Sequence, residues 1–160
     1  MRLHHRLKRG QMRDQIRAAL KAAIKSQEKR RISTLRLMTA AIEDRVIAAR
    51  SHGQDGLSEA EILEILAKMV KQRHESIDTY EKAGRMELAQ QEQEEMDIIQ
   101  TFMPQQMSDD EIRKACEELV NELECKSLKD MGRTMAELKT RYAGQMDFGR
   151  ASQIVKELLK

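Results

Sequence analysis

One proline interrupts a chain whose apolar residues otherwise recur at intervals of three and four. Pro104 stands in TFMPQQMS, residues 101–108. Proline lacks an amide proton and disfavours a helical conformation in the residue before it, so a helix arriving at Phe102 must stop there. Ser108 and Glu111 follow at capping-box spacing and open another helix. The stretch reads as a 104–107 linker between two helical domains, one over 12–103 and a compact one over 108–160.

The first helix is expected to begin near Met12, with Ile16, Leu20 and Ile24 at four-residue spacing. A second carries Ile32, Leu35, Met38, Ile42 and Val46, and SHGQDG ends it. Ser58 and Glu61 form a capping box ahead of Ile62, Ile65, Met69, Ile77 and Tyr80. Gly84 breaks that helix, and a largely polar one runs from about Arg85 to Phe102. Three short helices follow, near 109–124, 128–142 and 148–159, with Ser127 capping the second of these and Asp147 the third. The fold class is therefore all-α: an elongated helical module, then a three-helix domain.

Composition supports this. There is no Trp, only two Tyr and two Phe, and eleven Met. A core of Leu, Ile, Met and Ala suits helices, where unbranched side chains lose little rotamer freedom. Cys116 and Cys125 are the two cysteines. Read as nine residues apart on one helix, they point to opposite faces, suit neither a disulfide nor a metal site, and fit a reducing, cytoplasmic setting. No apolar run approaches the ~20 residues of a membrane span. The basic head, residues 1–11, is expected to be disordered, with Met12 as an alternative start.

A net charge of +2 conceals strong segregation. Residues 1–50 carry a net +10, residues 51–125 a net −12 and residues 126–160 a net +4. The densest basic stretch, KSQEKRRISTLR, places Lys25, Lys29, Arg30, Arg31 and Arg36 within 12 residues. Such a cluster attracts phosphate without reading base sequence.

A second candidate lies in DMGRTMAELKTRYAGQMDFGRAS, residues 130–152. Leu128, Met131, Met135, Leu138 and Tyr142 form a core stripe, with Gly132, Ala136 and Ala143 beside it. Beyond the small stripe lie Lys129 and Arg133. Glycine inside a helix costs about 1 kcal/mol relative to alanine, so Gly132 implies close approach, either by a neighbouring helix or by a nucleic-acid backbone docking against Lys129 and Arg133. Gly144 fits a left-handed helix end. Gly149 falls in a first turn whose amides suit a phosphate, although Asp147 competes for them.

SLKDMGRTMAELKTRYAGQMDFGRASQIVKELL resembles the tail domain of the B subunit of tRNA-dependent amidotransferases. KQRHESIDTYEKAGRMELAQQEQEEMDIIQTFMPQQMS and TLRLMTAAI resemble the remainder of the small bacterial YqeY-like proteins, and the likeness covers nearly all of 12–160. It implies an all-α fold with a three-helix tail. In the amidotransferases that tail helps hold tRNA while a separate domain, without counterpart here, performs the transamidation. The resemblance thus implies RNA contact without ligase chemistry, at positions matching Lys129, Gly132, Arg133, Gly144, Asp147 and Gly149. The basic head departs from the family pattern.

Nothing in the sequence assembles an active site, and no cofactor or metal is expected. RHES at 73–76 lacks the second histidine of a zinc helix. EQEEMD at 92–97 reads as a solvated face. The expectation is a non-catalytic accessory protein that binds structured, tRNA-like RNA. The alternative is a protein-interaction scaffold using the acidic middle.

Overall fold

A computed structural model describes residues 10–160, within which every regular element is helical. The expectation for the basic head falls mainly on residues 1–9, outside the described residues. Gly10 and Gln11 begin the first helix. The chain divides into two compact units at Met103/Pro104.

The first unit holds four helices: α1 (Gln11–Lys25), α2 (Lys29–Ser51), α3 (Glu59–Lys82) and α4 (Met86–Gln100). α1 and α2 form one hairpin, α3 and α4 another, and α2 packs on both helices of the second. Its core contains Met12, Ile16, Leu35, Met38, Ile62, Leu66 and Ile99. Ile24, expected in the core, is 48% exposed, and Ala23 is buried instead. Repeated four-residue steps drift about 40° each around a helix, so Ile24 ends some 120° from Met12 while Ala23 lies within about 20° of it.

The helix ends follow local chemistry. Ser58 makes the expected capping box with Glu61. The head of α1 is capped from outside, since Glu59 accepts from the amides of Gly10 at 2.8 Å and Met12 at 3.2 Å. α1 closes in a Schellman turn, in which Glu28 N–H donates to Ala23 O and Gln27 N–H to Ile24 O. The left-handed position there is Gln27, φ 57°.

EQEEMD is not simply a solvated face. Glu95 is buried, and its carboxylate accepts from Arg73 Nε at 3.1 Å, joining α4 to α3. Arg73 also donates to Met69 O at 3.1 Å. Burial, then repulsion from Glu95, raises the pKa of neighbouring Glu92 from its ordinary value.

The second unit holds α5 (Asp109–Glu122), α6 (Met131–Arg141) and α7 (Phe148–Leu158), with a 3-10 turn at Leu128–Asp130 leading into α6. Ile112, Cys116, Leu119, Leu138, Ile154 and Val155 form its core. Leu128, placed by periodicity in that core, is 48% exposed because the 3-10 turn takes it off the α-helical wheel. The Ser108–Glu111 capping box and the Asp147 cap form as expected. Gly144 is left-handed, φ 71°.

Residues 106–107 attach to this second unit. Met107 N–H donates to Gln145 O at 2.7 Å, and Gln106 Nε2 to Gly144 O at 2.5 Å. We propose that the two units are separable domains. Limited subtilisin digestion should then cut first between Met103 and Gln105, whereas first cuts inside α6 would contradict this.

The cysteines do not share a helix. α5 ends at Glu122, Glu124 is left-handed (φ 52°), and Cys125 turns back to place Sγ 3.2 Å from Thr134 Oγ1. Cys116 is fully buried, and burial pushes its thiol up to about 11. A thiol reagent at pH 8 should therefore modify Cys125 well before Cys116, with Cys116 reacting on unfolding. Equal rates in the native protein would contradict the packing.

Candidate nucleic-acid interface

The first candidate surface is the connected end of the α1–α2 hairpin. Lys25 closes α1, a three-residue turn follows, and Lys29, Arg30 and Arg31 open α2, with Arg36 further along. The tight turn therefore brings four of the five cations to one end of the hairpin. Lys25, Lys29, Arg30 and Arg36 are exposed. Arg30 is engaged, its Nε 3.3 Å from Glu94 Oε2. Arg31 lies with its guanidinium carbon 6.0 Å from the centre of the Phe102 ring.

Three positive side chains at the head of α2 oppose the helix macrodipole, which favours anions there by about 0.3–1 kcal/mol each. The first turn contains no acidic residue, and Glu28 makes no side-chain cap. Between this head and α4 is an open cleft of about 500 Å³, lined by Glu28, Lys29, Arg30, Arg31, Glu94, Asp97 and Ile98.

Two cations missed by the sequence reading extend the surface. Arg17 and Lys21 are exposed on α1, eight and four residues before Lys25. Each step rises about 6 Å, and the three cover an arc of about 80°. None makes an ion pair among the described residues. Their signal in the sequence is the four-residue spacing of Arg17, Lys21 and Lys25.

In the second unit the candidates separate. Lys129 is exposed in the 3-10 turn. Gly132 and Ala136 are also exposed, and a Cβ on Gly132 would meet nothing within 4 Å. The helix–helix crossing offered as one account of Gly132 is absent from this unit. Gly132→Leu should therefore leave the melting temperature unchanged or raise it, through the ~1 kcal/mol helix-propensity term. A fall of several degrees would mean that something covers the stripe.

Arg133 is less free than expected. Its Nε donates to Asp130 Oδ1 at 3.1 Å and its Nη2 to Leu123 O at 2.8 Å. The Lys126 amide, then Arg133, holds the Asp130 carboxyl below its usual pKa. Reversing Arg133 would disturb this tie. Gly149 N–H donates to Asp147 Oδ1 at 3.0 Å, and Arg150 N–H to the same oxygen at 3.2 Å. An anion at this helix head would have to displace that carboxylate. Lys139 and Arg141 lie in the last turn of α6, where Arg141 makes two 2.8 Å bonds to Glu122 and one to Glu137.

Among the described residues no group of His, Cys, Asp or Glu is arranged to hold a metal, and no helix is long and apolar enough to cross a membrane. His74 is an exposed helix residue. Tyr80, Phe102, Tyr142 and Phe148 are all half-buried, leaving no aromatic platform for stacking bases.

These features define an all-helical protein with a four-helix unit, a three-helix unit and segregated surface charge. The chain belongs to the YqeY-like protein family, which matches residues 13–159. It is 39% identical over 71 residues to "Altered inheritance of mitochondria protein 41, mitochondrial" of Eremothecium gossypii, a match covering 44% of this chain and 37% of that protein. It is 29% identical over 84 residues to an uncharacterised protein of Schizosaccharomyces pombe, covering 52% of this chain and 65% of that protein. The matches thus span less than two thirds of either relative.

Proposed function

We propose that this protein is a non-catalytic accessory factor that binds the backbone of structured, tRNA-like RNA through the exposed cations of α1 and the head of α2. The observation carrying this reading is the exposure of Arg17, Lys21 and Lys25 at four-residue spacing on α1, together with exposed Lys29 and Arg36 on α2. Cations collected against a helix dipole sacrifice local stability, a departure expected where a surface serves another purpose. The lack of exposed aromatics favours contact with a folded RNA backbone over stacking on single strands. Lys129, beside the open surface at Gly132, is the second unit's contribution, and Arg133 serves mainly as an internal tie.

The relation to amidotransferase biology rests on the tail's resemblance. Two free thiols fit a reducing compartment, and one relative is named for mitochondria; the reading holds for a bacterial cytoplasm or a mitochondrion. The test is titration of the full chain with bulk tRNA between 50 and 200 mM salt. About four phosphate contacts give a slope of log K against log salt near −3.6. No binding at ~50 mM salt would overturn the RNA reading in favour of a protein scaffold. Equal affinity for any polyanion would remove its preference for structured RNA.

A further inference from the structure

We infer that the carboxylates of α4 occupy the phosphate site at the head of α2 in the free protein, so that RNA binds there by displacing them. This rests on the RNA reading above and assigns α4 a role within it. Glu94 Oε2 lies 3.3 Å from Arg30 Nε, across an open cleft that also carries Asp97, Lys29 and Arg31. Glu94 therefore makes with Arg30 the contact that a phosphate oxygen would make. Both side chains are more than two-fifths exposed, so the pair is held weakly and can exchange.

Exchange has a consequence for selectivity. A single phosphate offers Arg30 little more than Glu94 already does. A polyanion recruits Lys25, Lys29 and Arg36 at the same time, and these make no ion pair among the described residues. The site thus rejects small anions and admits a nucleic-acid backbone. Asp97 accepts from Gln93 Nε2 at 2.9 Å, and Glu94 from Gln90 Nε2 at 3.4 Å, so both carboxylates also have a partner on α4 itself.

The test uses the full chain carrying Glu94→Gln and Asp97→Asn. A control carries Glu117→Gln and Glu118→Gln, exposed positions on α5 with the same change in net charge. At ~50 mM salt the α4 variant should bind bulk tRNA about three- to tenfold more tightly than the parent, and the control less than twofold more tightly. Inorganic phosphate at millimolar concentration should compete with tRNA for the α4 variant more effectively than for the parent. Equal gains in both variants would mean that net charge alone matters and would overturn the inference. No gain in the α4 variant, with the parent still binding tRNA, would overturn it while leaving the RNA reading intact. Failure of both parent and variant to bind would overturn the RNA reading itself, and this inference with it.

Discussion

Arg73→Ala should destabilise the first unit by about 3–5 kcal/mol, because it leaves the Glu95 carboxylate buried without its partner. The two side chains are 12% and 10% exposed, so water cannot substitute fully for the lost guanidinium. The change also removes the donor to Met69 O. Replacing both residues with apolar ones, Arg73→Met with Glu95→Leu, should recover most of the loss, since desolvating an ion pair costs nearly as much as the pair returns. Urea unfolding of the three proteins, followed by helical signal, measures both effects. A loss below about 1 kcal/mol for Arg73→Ala would place the pair among exposed ones.

That pair also marks a limit of the sequence reading. Glu95 stands in a run of carboxylates and Arg73 lies 22 positions earlier. Helical spacing relates neighbours on one helix, and the pair depends on how two helices pack. Glu59 capping the head of α1 was hidden for the same reason. The elements themselves were legible, because Ser58, Ser108 and Asp147 act within three residues and Pro104 acts on its immediate neighbour. Helix ends were legible where glycine supplied the left-handed position, as at Gly53 and Gly84. Gln27 and Glu124 adopt the same conformation without glycine, and at Glu124 the turn carries Cys125 off α5, the helix of Cys116 on which it was expected. Both arginine assignments needed side-chain geometry: Arg133 is tied internally and Arg30 is paired with Glu94. Their charge was legible from residue type, but the groups that already pair with it were not.

Reversing the front cations should have the largest effect on the proposed activity. Lys21, Lys29 and Arg36 are exposed, make no ion pair among the described residues and lie on both helices of the hairpin. Their joint replacement by Glu should leave folding nearly unchanged, since exposed charges contribute little. Lys29→Glu even favours the head of α2 by restoring the sign that the helix dipole prefers. Binding is another matter, because on the proposed reading three phosphate contacts become three repulsions.

The deciding measurement is the salt dependence of tRNA affinity for the parent, this triple variant and Lys129→Glu, each in the full chain. Interaction through the α1–α2 surface predicts that the triple variant loses at least about thirtyfold in affinity at 100 mM salt and about 2–3 units of slope. Lys129→Glu should lose no more than about one unit. A triple variant that binds within twofold of the parent, with the parent's slope, would contradict this account.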